Sequence, residues 1–159
     1  HKINCVPAMF FDSGRDQGLS LTALTTVRTV AAVIDAANTV ANGTNWLFGH
    51  SSSFHFHSGF SGSAGKWFHT SNGHSDVYNG TLRQDGAAGS PTTSAIGDSP
   101  TYMNLVTVGT GGQISQVVKD RNNANSIEGF VGEWIVWSDA LDSDQITALE
   151  ANQAAAWGI

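Results

Sequence analysis

The chain has 159 residues, with Lys plus Arg at 7 against 13 Asp plus Glu and a formal net charge of −6. Its few basic residues are scattered, which argues against nucleic acid and anionic membrane as partners, because phosphate binding needs a clustered positive patch. No apolar run approaches the length of a membrane span, and the single cysteine, Cys5, leaves no partner for an internal disulfide or a cysteine-based zinc site.

A chain of this length is expected to form one domain, residues 1–159, and to bury roughly two-thirds of its unfolded surface. With 18 Gly, abundant Ser, Thr and Asn, and only 13% charged residues, the composition suits an all-β domain with many turns. His1 stands where a Met would, and reads as a tag or trimming remnant. Ile3 to Phe11 predicts a strand, followed by a loop of turn formers, DSGRDQG. Leu19, Leu21 and Leu24 open the next apolar segment, and Thr26 to Ile34 is β-branched enough for a central strand. Short strands are predicted at Trp46 to His50, Phe54 to Ser58 and Lys66 to Thr70. In these, alternation sets Phe54, Phe56 and Phe68 on one face and His55, His57, Trp67 and His69 on the other. Val77 to Gln84 reads as a hairpin turning at Asn79-Gly80, since Asn-Gly accepts the positive φ of a type I′ turn. Ala87 to Pro100 reads as a long surface loop. Tyr102 to Val108 and Ile114 to Lys119 are predicted to pair across GTGG.

The last 33 residues are the most informative. Phe130 to Trp137 is dense enough in apolar and aromatic residues for a strand buried on both faces, with Glu133 as its one charge. A helix follows, with Asp142 at the N-cap and Gln145 three residues on in a capping-box arrangement. Ile146, Leu149, Gln153, Ala156 and Trp157 share one face, and Gly158 supplies the stop. About ten short strands at regular spacing predict an antiparallel two-sheet β-sandwich or jelly roll with a short C-terminal helix. Phe10, Val33, Leu47, Phe56, Ile135 and Trp157 are expected in its core.

The strand Gly129-x-x-Gly132-Glu133, the turn Asp139-Ala140-Leu141, the capped helix and the terminal Trp157-Gly158-Ile159 resemble the C-terminal end of laminin-G-like and concanavalin A-like lectin and glucanase domains. Upstream, PAMFFDSGRDQGLSL, TVRTVAAVID, NWLFGHS and VYNGTLRQDG fit the same plan, so the resemblance extends from about Pro7 onward. It implies a concanavalin A-like sandwich and a carbohydrate-related role. It also implies a possible calcium ion, as such domains often hold one on loop oxygens, for which Asp12, Ser13 and Asp16 are the candidates here.

Catalytic relatives on this sandwich carry several acids at two-residue spacing on one strand, so that all point into one cleft. Here Glu128 and Glu133 are five apart and no Glu-x-Asp-x-x-Glu exists, so no glycosidase activity is expected. Glu133 is expected to be structural, hydrogen-bonded to the N-terminal loop near Asp12. Gly49-x5-His55-x-His57 matches the start of a cupin metal motif but lacks the third ligand. A copper brace on His1 is disfavoured by the downstream resemblance, and Gly59-Phe60-Ser61-Gly62 lacks the spacing of a nucleophile elbow.

Sugars stack their C–H faces on aromatic rings while polar neighbours bond their hydroxyls. His55, His57, Trp67 and His69 on one sheet face, with Tyr78 and Arg83 on the hairpin, are therefore the candidate carbohydrate-binding residues. The histidines also read as an ordinary solvent face, and Trp67 as core. The function expected is a non-catalytic carbohydrate-binding or adhesion module, its partner a glycan or cell-surface polysaccharide. The setting expected is extracellular, on a cell surface or a virion surface. The rival is a structural virion subunit that contacts neighbouring subunits and has no ligand.

Overall fold

The computed structural model describes residues 2–12, 15, 17–35, 47–58, 65–70, 72–96, 100–119 and 127–159. The described residues are mostly β, in antiparallel sheets, with a capped helix at the C-terminal end. A small hairpin comes first, β1 (Lys2–Ile3) and β2 (Val6–Pro7), turning through Asn4 and Cys5 at φ 43° and 69°. That turn divides the single strand expected over Ile3 to Phe11, and its last segment becomes β3 (Met9–Phe11).

The six-stranded sheet joins β3 to β5 (Thr29–Asp35), β7 (Thr81–Gln84), β8 (Ala87–Gly89), β9 (Thr101–Val106) and β11 (Gly129–Trp137), in the order β3-β11-β5-β9-β7-β8. A second sheet orders β4 (Leu19–Val27), β10 (Gly112–Val117) and β6 (Phe48–Gly49) as β4-β10-β6. Residues of both sheets meet in one core: Val27, Phe48, Ile114 and Val117 from the smaller, and Val30, Ala32, Ile34, Leu82, Met103, Leu105 and Val131 from the larger. The expected strand Thr26 to Ile34 is interrupted at Arg28, where the chain passes from one sheet to the other. The nitrogen of Arg28 donates to Trp137 and its carbonyl accepts from Thr107.

The strand β11 lies between β3 and β5, as its apolar density predicted, but most of it is half-buried rather than buried on both faces. A bulge between Val131 and Glu133 shifts its register against β5. Strand alternation reverses there: Val131, Trp134 and Val136 meet the core between the sheets, while Phe130 packs in the cluster beneath the helix. Ile135 is consequently only half-buried, and Phe10, on the edge strand β3, is exposed against the Phe130 ring at 5.1 Å. Val33, Leu47, Phe56 and Trp157 are buried as expected.

The helix α2 (Ser143–Trp157) begins on the expected capping box of Asp142 and Gln145 and ends with Gly158 in the left-handed region. Its inward face differs from the expected one: Ile146, Glu150, Gln153 and Trp157 are buried, Leu149 is half-buried and Ala156 is exposed. The face was misread because Glu150 counts as polar in any periodicity, yet it is buried against a basic partner on the sheet.

The middle of the chain departs from expectation at four places. Instead of a hairpin at Asn79-Gly80, Ser75–Tyr78 form a short helix, α1, with Asn79 as its C-cap. The hairpin of β7 and β8 turns one step later, at Asp85-Gly86, where both residues have positive φ and only glycine adopts that region without cost. The strands β9 and β10 do not pair across GTGG, because β9 pairs with β5 and β7 while β10 pairs with β4 and β6. GTGG is thus a crossing between the two sheets. Phe54 to Ser58 and Lys66 to Thr70 form turns and irregular backbone rather than strands, apart from a single bridge of Lys66 to Ala95. The stretch expected as a surface loop from Ala87 starts with β8.

Candidate functional site

The histidine face expected from strand alternation does not form, because the segments that were to carry it are not strands. His57 and His69 are each 6% exposed, with ring centroids 5.2 Å apart, and the His69 nitrogen donates to the His57 carbonyl. Nδ1 of His57 donates to the carbonyl of Ser58. Trp67 is 1% exposed, and its indole N–H donates to Gln84 Oε1 at 2.7 Å, so it is a core residue and offers no ring to a sugar. Phe54, expected inside, is exposed. Tyr78 is half-buried at the end of α1. Arg83 lies on the far side of the large sheet, in a two-point ion pair with Glu150 beneath α2. Of the calcium candidates, Asp12 pairs with Arg15 at 3.1 Å, while Ser13 and Asp16 lie outside the described residues. Among the described residues no group of three or more His, Cys, Asp or Glu is placed to hold a metal ion. His1, Ser61 and Trp46 lie outside the described residues.

His55 is the one predicted residue that lines a polar cleft. The cleft has a volume of about 480 Å³ and is lined by Thr25, Thr26, Arg28, His55, His74, Gly109, Thr110, Gly111, Gln113 and Ser138. Five parts of the fold converge on it: the end of β4 with Arg28, the segment that carries His55, the turn before α1, the crossing GTGG with the start of β10, and Ser138 after β11. Asp76, in the first turn of α1, holds the crossing in place. Its Oδ2 accepts from the nitrogens of Thr110 at 2.8 Å and Gly111 at 3.0 Å and from the Thr110 hydroxyl. Burial pushes the Asp76 carboxyl upward, but those backbone donors, then His74 and the Thr110 hydroxyl, outweigh it and hold the group below its ordinary range. Gly111 has φ 83°, and a Cβ there would sit 2.2 Å from the carbonyl oxygen of Val27. The crossing therefore needs glycine at this position.

The imidazoles around the cleft are set by backbone donors. Gln113 N donates to His55 Nδ1 at 2.9 Å, and Asp76 N to His74 Nδ1 at 3.3 Å. A backbone N–H can only donate, so each Nδ1 must be the bare nitrogen, and the ring proton sits on Nε2. The rings of His55 and His74 have centroids 4.5 Å apart, and the His50 ring is stacked with that of His55 at 6.4 Å. The cleft thus presents imidazole N–H groups, hydroxyls and one amide side chain. Nε of Arg28 is buried without a hydrogen-bond partner.

Burial, together with the neighbouring His74 and His50, holds the His55 imidazole below its ordinary value, with Asp76 working the other way. Below about pH 6.5 the unfolded chain therefore takes up a proton that the folded chain refuses, and stability falls as pH falls through the folded value. We expect the midpoint of urea unfolding to drop between pH 7.5 and pH 5.5. His55→Gln, whose Oε1 can still accept from Gln113, should flatten part of that dependence. An unchanged slope in this variant would show that His55 does not carry it.

Sequence reading missed Arg28, His74, Thr110 and Gln113. Of these, only His74 left a local trace, since a polar residue two before Asp76 is what a helix start looks like. Arg28 lay inside a run read as one continuous strand, and nothing local marked the change of sheet. No protein-family model matches the chain, and no curated protein or solved structure matches it either.

Proposed function

We propose that the protein is a non-catalytic carbohydrate-binding module on a β-sandwich of the concanavalin A-like kind, and that the cleft of Arg28 and His55 is its glycan contact. The observation that carries this reading is the convergence of Thr25, Thr26, Arg28, His55, His74, Thr110, Gln113 and Ser138 on one open cleft. A polyhydroxyl ligand is recognised by a few placed donors and acceptors of this sort. The carboxylates support the non-catalytic part. Glu133 accepts from Gln153 at 2.8 Å and from Trp157 at 3.4 Å on α2, rather than from the N-terminal loop as expected, and Asp76 is spent on the GTGG crossing. Neither is poised as one of the paired acid and base that glycoside hydrolysis requires. The setting in this reading is a cell surface, a secreted protein or a virion.

A glycan array probed with the isolated protein tests the proposal. Binding to at least one glycan is expected, lost in both Arg28→Gln and His55→Gln while the circular dichroism spectrum is unchanged, with no sugar released from the bound polysaccharide. Binding that both variants retain would move the site elsewhere, and sugar release lost in Glu133→Gln would make the protein an enzyme.

The rival reading, a structural virion subunit, is favoured by β4. Every residue of this strand except Val27 is exposed, including Leu19, Leu21 and Leu24, and among the described residues it forms an edge of its sheet. An uncharged exposed edge is a template for pairing with another chain. A protein that binds no glycan but assembles at micromolar concentration, and ceases to on Leu21→Lys, would favour that reading.

A further inference from the structure

The charge in the cleft of Arg28 and His55 is opposite to that of the chain. The protein has a formal net charge of −6, yet no Asp or Glu is among the described residues that line this cleft, while Arg28 is. Among the described residues, Arg15 pairs with Asp12, His74 approaches Asp76 at 3.9 Å and Arg83 pairs with Glu150. Arg28 enters none of these pairs. Its Nε is buried, so the terminal nitrogens of its guanidinium are the ones that a ligand can meet.

Asp76 stands beside the cleft, and its charge is already taken up. Its Oδ2 accepts from the nitrogens of Thr110 and Gly111 and from the Thr110 hydroxyl, and a Cβ on Gly109 would lie 2.5 Å from the same oxygen, so the crossing is wrapped closely around it. Those backbone N–H groups, with that of Gln113 on His55, are spent on holding the cleft together. Recognition falls to side chains. The bare Nδ1 of His55 and of His74 puts each ring proton on Nε2, so both imidazoles are left with a donor to offer. The hydroxyls of Thr25, Thr26 and Ser138 can turn to donate as well, and the Gln113 amide is the one fixed acceptor among these side chains. Each hydroxyl of a neutral sugar brings a proton that needs an acceptor, whereas a carboxylate or sulfate brings none.

We infer that the ligand of this cleft is an acidic glycan, whose carboxylate or sulfate meets the guanidinium of Arg28 and the imidazole N–H groups of His55 and His74. This rests on the reading of the cleft as a glycan contact and names the class of sugar. A guanidinium matches the planar oxygens of such a group, and hydrogen bonds between charged partners are roughly twice as strong as neutral ones.

Trigalacturonic acid, its methyl ester and a sulfated galactotriose test the inference at pH 7.5, read by the amide signals of Thr110, Gly111 and Gln113 in two-dimensional NMR of the intact protein. The ester keeps the sugar and removes the charge. At least one charged probe should shift these signals saturably and bind about tenfold more tightly than the ester, or better, as hydrogen bonds to a charged group imply. The tighter of the two assigns the anion as carboxylate or sulfate. Arg28→Gln should remove the preference for charge, and Arg28→Lys should keep most of it. If Arg28→Gln does not fold, the comparison on the unaltered protein decides alone. The inference is overturned if neither charged probe binds more tightly than the ester, if no probe shifts these amides, or if the preference survives Arg28→Gln. A neutral glycan found on the array and lost in Arg28→Gln and His55→Gln would overturn this inference and leave the glycan reading standing. An acidic glycan that both variants still bind would take the site out of the cleft and overturn both.

Discussion

Trp67→Ala is expected to destabilise the protein by about 3–5 kcal/mol, the cost of removing a large aromatic side chain from a packed core. Trp67 is 1% exposed within the cluster that includes Phe56, Phe68 and Leu82, and truncation also takes away the donor that Gln84 Oε1 accepts from. Trp67→Phe keeps most of the buried area and loses that bond, so it should fall well short of the alanine variant. Urea unfolding of both variants measures the difference. If Trp67→Ala leaves stability within about 0.5 kcal/mol, as an outward-facing substitution does, and removes glycan binding instead, the burial described here is incorrect.

Arg83→Met should cost about 2–3 kcal/mol, and most of that should return in the double variant with Glu150→Gln. Nε and Nη2 of Arg83 donate to the two oxygens of Glu150 at 2.7 and 2.9 Å, and Glu150 is 5% exposed under α2. Removing the guanidinium leaves a buried carboxylate without its cation, which is the expensive way to break a buried pair. Removing both charges does not incur that cost. Because Arg83 is itself partly exposed, the loss should fall below the 3–5 kcal/mol typical of fully buried pairs. A double-mutant cycle by chemical denaturation reads the coupling directly. Additive losses would show that the pair contributes little, whatever its geometry.

Both residues were candidate sugar contacts in the sequence; for Trp67 the alternative reading as core is the one its burial supports, while the place of Arg83 was misread. Trp67 was assigned a face by strand alternation, a rule that holds only where a strand exists. Lys66 to Thr70 has nearly no ladder, so its side-chain directions are set by the packing of Phe56, Trp67 and Phe68 into a shared core. Arg83 was assigned to a hairpin exposed to solvent. Its strand is real, but the helix covering that strand comes from residues 67 positions away, and a contact of that separation leaves no local pattern.

What the sequence determined by itself were features whose causes lie within a few residues. The antiparallel β character follows from composition and strand spacing, and the strand over Phe130 to Trp137 from its aromatic density. The start and stop of α2 come from Asp142, Gln145 and Gly158, each of which acts on backbone groups no more than four positions away. What only the tertiary structure decided was where alternation is broken and which sheet a strand joins. The bulge at Val131 to Glu133 reverses the faces of β11, the chain changes sheets at Arg28, and GTGG crosses between sheets instead of closing a hairpin. The cleft around His55 is built where such long-range choices bring segments together. It is held by pairs dozens of residues apart, such as Gln113 with His55, as the seat of α2 is by Gln153 with Asn104, and no periodicity along the chain records them.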